Sequence, residues 1–465
     1  MPMNTNGLLT ILLFTSLRVL GDSNTSQVRN VHITLGDYFF NEKSPIIYRI
    51  GFQVSSPIKD LSIELEYPDT PNKQHFTTKE CRFYKVKDRH ERVDYQTYFC
   101  FVELQFLHNN TKFTYRFLEP NVVKRRSFNF ESNIMASSSP VIVSVGDHDV
   151  INIGRATIDS FIKFKYDLMV FLGDIAYEVQ DQNGRRGDDY FNKMEPVFTK
   201  APIIWTPGNH ENFDKSLMFT SRVWMPGTTT PMENNMFIFR INDILFSTPN
   251  LDLPTNLFPD KFYTYVQSFR SALNNAINLF KPKFKIFFSH RPFYCAQYLN
   301  DGPRCMVSPW DFKPFEDVLN EANNNLCLFG HNHYYERQSF MDGYEIKKEE
   351  THGYLIAGTA GNHEIFPEYT PFDIQFRKKQ VYKTTGFLVL NPRANDIKVE
   401  FVACKNFKVM DSVIYTYERD NITSTQKSSY YVLGIAAVFV SLGIFFLTCS
   451  RTKRKQTEKY EPVQN

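Results

Sequence analysis

The rhythm of apolar and polar positions changes once along this chain, near residue 140. Before that point the chain carries short strand-like runs: Val31–Leu35, Ile46–Phe52, Leu61–Leu65, Tyr98–Val102 and Lys112–Phe117. Turn-forming residues separate them, a pattern that predicts a small all-β sandwich of the fibronectin III or immunoglobulin-like kind. No chemistry is visible in it, and it reads as a packing and presentation module spanning residues 28–125. The stretch Asn129–Pro140, with its Ser137-Ser138-Ser139, reads as a linker. Beyond it the apolar runs become continuous: Val141–Val145, Leu168–Leu172, Pro202–Trp205, Phe284–Phe288 and Leu326–Phe329. Runs of that length predict buried strands, and helix-like stretches such as Ile158–Lys165 and Tyr265–Phe280 lie between them. The expected second domain is therefore α/β, over residues 138–418.

At 465 residues the chain suits two domains, and 44 Phe and 25 Tyr favour a strand-rich architecture. A formal charge of +3 is close to balance and gives no reason to expect a nucleic-acid partner. The two ends bear on location. Leu8–Leu20 is apolar apart from a few small or polar residues and Arg18, and it predicts a signal peptide over residues 1–21. Tyr430–Cys449 holds no charged residue and is long enough to cross a bilayer as one C-terminal helix. Arg451, Lys453, Arg454 and Lys455 follow at once, so the tail, residues 450–465, should be cytosolic.

The expectation is a type I single-pass membrane protein with its main domains lumenal or extracellular. Three glycosylation sequons, at Asn24, Asn109 and Asn421, fall on that side. The cysteines fit an oxidising compartment as well. Cys81 and Cys100 are candidates for one disulfide and Cys295 and Cys305 for another, while Cys327 and Cys404 either pair or remain buried thiols. In the tail, Tyr460-Glu461-Pro462-Val463 matches a tyrosine-based sorting signal, which would send the protein to endosomes or lysosomes rather than leave it at the cell surface.

Each of the five continuous apolar runs is followed by residues suited to metal binding. In order these are Gly146-Asp147, Gly173-Asp174-Ile175-Ala176-Tyr177, Gly208-Asn209-His210-Glu211, Ser289-His290 and Gly330-His331-Asn332-His333. Taken singly, a Gly-Asp after a strand is usually a turn, and an Asn-His-Glu usually a surface loop. Five together are different, because loops at the carboxyl ends of strands are where open α/β sheets gather their ligands.

This set resembles the metallophosphoesterase superfamily, and within it the animal-like purple acid phosphatases, over roughly Val141–Arg393. Many superfamily members carry Asp-x-His in the first motif, where this chain has Asp147-His148-Asp149. The purple acid phosphatases supply instead a tyrosine three residues after the second aspartate, and Tyr177 stands there. The resemblance implies a four-layer αββα sandwich and a dinuclear centre. Asp147, Tyr177 and His333 would hold Fe(III), Asn209, His290 and His331 a second divalent metal (zinc, iron or manganese), and Asp174 would bridge them. It further implies hydrolysis of small phosphate monoesters by metal-activated hydroxide, with His210 as the catalytic residue that protonates the leaving group or stabilises the transition state. A phosphodiesterase or nucleotide pyrophosphatase on the same scaffold, or an inactive cell-surface binding protein, are the alternatives. His148 and Asp149 depart from the family pattern and are expected to face solvent. His363, in Gly358-Thr359-Ala360-Gly361-Asn362-His363-Glu364, is expected to be a loop residue rather than an acid.

Overall fold

The computed structural model describes most of residues 26–417. Residues 1–25 and 418–465 lie outside the described residues, as do internal segments of which the longer are 37–45, 87–94, 107–111, 229–234, 253–260, 304–308, 347–351, 363–369 and 372–376. The expected signal peptide, membrane segment, sorting signal and all three sequons, Asn24, Asn109 and Asn421, therefore fall outside the description, together with Cys305 and His363. Among the described residues, no helix is long and apolar enough to cross a membrane.

The amino-terminal part is a sandwich of two four-stranded antiparallel sheets. Its strands are β1 (Arg29–Leu35), β2 (Ile46–Val54), β3 (Ser62–Glu66), β4 (Lys73–Thr77), β5 (Glu80–Val86), β6 (Tyr95–Phe106), β7 (Lys112–Leu118) and β8 (Ser127–Glu131). They are ordered β1-β2-β6-β5 in one sheet and β4-β3-β7-β8 in the other. In β7 the burial alternates strictly, with Phe113, Tyr115 and Phe117 inside, because successive side chains leave opposite faces of a strand. Cys81 and Cys100 face each other across β5 and β6 and are disulfide-bonded. Cys295 is also disulfide-bonded, whereas Cys327 and Cys404 are free and buried.

Two boundaries shift from the sequence expectation. The sandwich runs past residue 125, since β8 closes its second sheet, and the expected linker accordingly loses Asn129–Glu131 to that strand. The period-two signal in β8 is carried by only two phenylalanines, too few to announce a strand.

The remainder stacks two sheets between helices. One sheet holds β9 (Ile142–Val145), β10 (Leu168–Phe171) and β11 (Ile203–Trp205), joined through β9 to the antiparallel strands Gly386–Pro392, Asp396–Ala403 and Val409–Thr416. The other is led by β12 (Met236–Ile241), β13 (Ile244–Pro249) and β14 (Phe284–Ser289), with Leu326–Phe329 and Gly353–Ala357 parallel to β14. Along β13 and β14, Phe246, Ile286 and Phe288 face the first sheet, while Leu245 and Phe287 face the helices α4 (Phe262–Phe280) and α5 (Pro309–Glu321). Both faces of this sheet are thus buried, which is why its strands read as unbroken apolar runs. The helices α1 (Asn152–Lys163) and α2 (Arg185–Phe198) contribute Phe161, Tyr190, Phe191 and Met194 to the core of the first sheet. The expected αββα layering is the layering observed.

The sandwich is not a separate module. Its apolar residues share one continuous core with the first sheet. Along β1, Val31 N–H donates to Glu195 of α2 at 2.9 Å and the Thr34 hydroxyl to Trp224 O at 2.9 Å. Buried Arg222, at the end of α3 (Leu217–Arg222), pairs with Asp188 of α2 at 2.6 Å and lies against Phe99 of β6. Burying an arginine charge is costly without such a partner.

Candidate metal centre

The five strand ends deliver their polar residues to one place. Asp147 follows β9, Asp174 and Tyr177 follow β10, Asn209 follows β11, His290 follows β14, and His331 and His333 follow the strand Leu326–Phe329. All seven side chains are buried or nearly so. They form two adjoining groups. In the first, the Tyr177 hydroxyl is 2.8 Å from His333 Nε2 and 3.3 Å from Asp147 Oδ1, which itself lies 3.3 Å from His333 Nε2. In the second, His290 Nε2 lies 3.0 Å from Asp174 Oδ2, 3.1 Å from Asn209 Oδ1 and 3.2 Å from His331 Nδ1. The groups are tied where His331 N–H donates to Asp147 Oδ2 at 2.8 Å.

This geometry fits metal ions. Donors about 2.0–2.2 Å from a first-row ion stand about 2.8–3.6 Å from one another, and the spacings above fall in that range. The tautomer of His290 is also set. Its Nδ1–H donates to Leu172 O at 2.8 Å, leaving Nε2 directed at the other donors. Outer contacts of this kind orient metal-binding imidazoles. Burial disfavours an imidazolium at His290, but the Asp174 carboxylate overrides it and raises the ring to about 10. Burial likewise opposes charge on Asp174, yet His290 beside it holds that carboxyl well below the usual range. A site that binds a proton so strongly between these groups favours a cation there. His331 is pushed well down by burial and by neighbouring Arg291, whose Nη1 donates to its Nε2 at 3.2 Å.

The backbone adds a feature that motifs do not reveal. Asp147, Asp174, Tyr177 and His331 all adopt left-handed conformations, with φ of 64°, 53°, 45° and 69°. For residues other than glycine this costs about 1–2 kcal/mol each, and such strain gathers at functional sites whose surroundings enforce it. Glu211 is one enforcer. Fully buried, it accepts N–H bonds from Asp174 (2.8 Å), Ile175 (2.9 Å) and Gly208 (2.7 Å), joining the loops after β10 and β11. Burial and the Asp174 charge push its carboxyl up to about 8, against the pull of those donors. Gly208 permits the close approach, since a Cβ there would stand 2.2 Å from Asp174 Oδ1.

His210 stands at the rim, with a side chain 24% exposed. Its Nδ1 is 2.7 Å from Glu178 Oε1, its Nε2 is 3.8 Å from Asp174 Oδ2, and its ring lies 4.5 Å from that of Tyr177. Burial lowers its basicity, but Asp174 and Glu178 outweigh that and raise it.

Two expectations need correction. His148 and Asp149 do not face solvent; both are fully buried. His148 contacts the Tyr190 hydroxyl at 3.0 Å and Gly154 O at 3.0 Å, and burial lowers it to about 4. Asp149 pairs with Arg186 and accepts Val150 N–H at 2.7 Å. Both are drawn inward because the turn after β9 is roofed by α1 and α2. Three contributors were missed, Glu178, Arg186 and Asn362, and Glu211 reads in the sequence only as part of the metal-binding run. Asn362 Nδ2 contacts the Tyr177 oxygen and lies 2.9 Å from His333 Nε2. It belongs to the glycine-rich run noted for His363, so the segment carried the signal although attention fell on its neighbour.

The calcineurin-like phosphoesterase family model matches residues 145–335, the span that supplies every one of these donors. A purple acid phosphatase from yellow lupin seeds has the same fold, with a TM-score of 0.68 at 14% identity over 84% of this chain and 75% of that one. Residues 145–335 are thus a calcineurin-like phosphoesterase segment. Among curated proteins it is 26% identical to acid phosphatase type 7 of Danio rerio over 234 residues, 44% of this chain and 51% of that protein. It is 23% identical to phosphoenolpyruvate phosphatase of Allium cepa over 360 residues, covering 73% and 71% of the two chains. The chain thus spans about half the length of the acid phosphatase type 7 relatives it matches.

Proposed function

We propose that the protein is an acid phosphatase that hydrolyses phosphate monoesters at a dinuclear centre of Fe(III) and a divalent metal, zinc, iron or manganese. The observation that carries this reading is the convergence of seven metal-type donors in two adjoining groups with His210 at their rim. Asp147, Tyr177 and His333 would hold the trivalent ion, for which carboxylate and phenolate oxygens are suited. Asn209, His290 and His331 would hold the divalent one, and Asp174 would bridge them. When bound, the ions supply the charge that orients a phosphoryl group, acidifies water and stabilises an in-line transition state.

The chain's own residues do the remaining work. His210 Nδ1–H donates to Glu178 Oε1, which leaves Nε2 facing Asp174 Oδ2 at 3.8 Å. From there a proton on Nε2 reaches the departing alkoxide oxygen, the general-acid role. Glu211 locks the two loops that carry Asp174 and Asn209, so these donors need no rearrangement when substrate arrives.

The test uses purified protein loaded with iron and zinc. It should be violet, from tyrosinate-to-iron charge transfer, and should hydrolyse an aryl phosphate monoester faster than the matching diester. A colourless, iron-free and inactive preparation would sink the proposal, and a preference for the diester would redirect it to a phosphodiesterase. The location proposed is a type I single-pass membrane protein, at the cell surface or in endolysosomes, with the site lumenal or extracellular. The uncharged run Tyr430–Cys449 and the basic residues after it support this. In sealed membranes, a carboxyl-terminal tail protected from added protease would count against it.

A further inference from the structure

The loop after β10 is the most contorted backbone near the site. Asp174, Ala176, Tyr177 and Glu178 have φ of 53°, 63°, 45° and 80°. Such a cluster of left-handed residues does not persist by local preference, because only glycine adopts that region freely. On one side Glu211 accepts its first two N–H groups, and backbone bonds join it to His148: His148 N–H to Asp174 O at 3.0 Å and Ala176 N–H to His148 O at 3.0 Å. On the other side Arg186 grips the half that bears Tyr177. Arg186 Nε donates to Ala176 O at 2.7 Å and to Tyr177 O at 3.2 Å, while its Nη2 pairs with the Asp149 carboxylate.

We propose that Arg186, locked by Asp149, is a positioning residue that sets where the Tyr177 oxygen stands. Its consequences for metal binding rest on the dinuclear phosphatase reading; its effect on the loop does not. Both ends of the clamp are fixed. Asp149 has no exposed surface, its N–H donates to Gly361 O at 2.9 Å, and its other carboxylate oxygen accepts Val150 N–H. Arg186 lies in the first turn of α2, and that helix is anchored further along at three points. The Tyr190 hydroxyl meets His148 Nδ1, Asp188 accepts from Tyr95 at 2.8 Å and Arg222 at 2.6 Å, and Glu195 holds Val31 and Arg126. The guanidinium suits the task because its rigid fork serves two carbonyls and a carboxylate at once. The departure at Asp149 then has a physical reason. The position that carries a metal-binding histidine in many relatives here carries the anion that holds the arginine, and the phenol of Tyr177 joins Asp147 and His333 instead.

The experiment compares Arg186→Gln, Asp149→Asn and Arg186→Lys with the parent chain by three readouts. The first is hydrogen–deuterium exchange of amides 174–179 in metal-stripped protein. The second is iron affinity and the maximum of the visible band after loading. The third is kcat and KM for an aryl phosphate. The expectation is faster exchange in that loop for Arg186→Gln and Asp149→Asn, a shifted band, and a 10–100-fold loss in iron affinity and kcat with KM little changed, the usual size for an outer contact of a metal ligand. Arg186→Lys, which keeps the charge but not the fork, should fall between. The double variant should be no worse than Arg186→Gln alone, since the pair acts as a unit. Parent-like exchange together with an unmoved band in both single variants overturns the proposal. Asp149→Asn preserves shape and the Val150 contact, so it decides the matter even where Arg186→Gln does not fold. If the parent chain binds no iron, the phosphatase reading fails while the exchange comparison still decides the clamp.

Discussion

The two halves of the candidate metal centre are built by opposite means. His290 and His331 stand within two residues of strand ends and Asn209 four residues past β11, and the His290 ring is oriented by a backbone carbonyl, Leu172 O. Strand ends place the two histidines, and Glu211 holds the turn that carries Asn209. The half made by Asp147, Tyr177 and His333 leans on side chains gathered from across the sequence. Tyr177 sits six residues beyond β10 on a left-handed loop held by Glu211 and Arg186, and Asn362 reaches in from a segment 185 residues away. The sheet-built half, with both histidines next to strands, depends less on other side chains. A half braced by side chains inherits the weaknesses of its braces, down to the join between α2 and the sandwich.

The sharpest way to break that contrast is to delete a donor on the sheet-built side. His290→Ala removes an imidazole that meets Asp174, Asn209 and His331. A catalytic metal ion contributes several kcal/mol to the barrier, so kcat should fall by about a thousandfold or more. The visible band should survive, because Tyr177, Asp147 and His333 are untouched. Bleaching of the band along with the activity would show that the halves do not assemble independently.

A second probe acts on the far end of the braces. His32 of β1 is buried among Phe101, Phe191 and Trp205, at the join between the sandwich and α2, and Gly51 leaves the space for its ring. Burial, aided by the charge of Arg222, lowers it from 6.5 to about 4. The folded chain therefore binds this proton more weakly than the unfolded chain. No stability is lost above pH 6.5; the loss begins there as pH falls, and it is complete near pH 4. In between it amounts to about 1.4 kcal/mol per pH unit, so about 2 kcal/mol is gone at pH 5. Urea unfolding of His32→Leu should lack this component, and the difference between variant and parent should change with pH across that window. A constant difference would mean that His32 is not a neutral buried base. Because the join carries α2, and α2 carries Arg186, acid should loosen the Tyr177 half before the other.

This asymmetry also explains what the sequence made legible. A continuous apolar run followed by a polar residue is a local signal, so the five strand ends and the polar residues after them could be read from the chain, whereas the αββα layering and the division into two metal sites were expected only from the family resemblance. Arg186 gave no such signal, since an arginine opening a polar helix is ordinarily a solvated charge. His148 and Asp149 misled for the same reason: polarity argued for the surface, and only the packing of α1 and α2 over the turn takes them inside. β8 and the union of the two cores were hidden because they depend on which faces meet, and periodicity within one segment cannot say that. Local pattern places donors; long-range packing decides how firmly each is held.

The smallest effect is expected at Asn362, and it is the most discriminating between the two halves. Its Nδ2 lies against the Tyr177 oxygen and the His333 ring. An N–H donor at a phenolate oxygen stabilises the charged form, so Asn362→Ala should make Tyr177 more basic and move the charge-transfer band. Loss of one outer contact of this kind should cost about tenfold in iron affinity, near the low end for such partners. Zinc affinity of the other half should be unchanged, because its donors keep every contact described above. Titration of metal-stripped Asn362→Ala with iron and with zinc separately measures both. Equal weakening for the two ions would mean that Asn362 supports the centre as a whole, and the division into a sheet-built and a side-chain-braced half would then have to be given up.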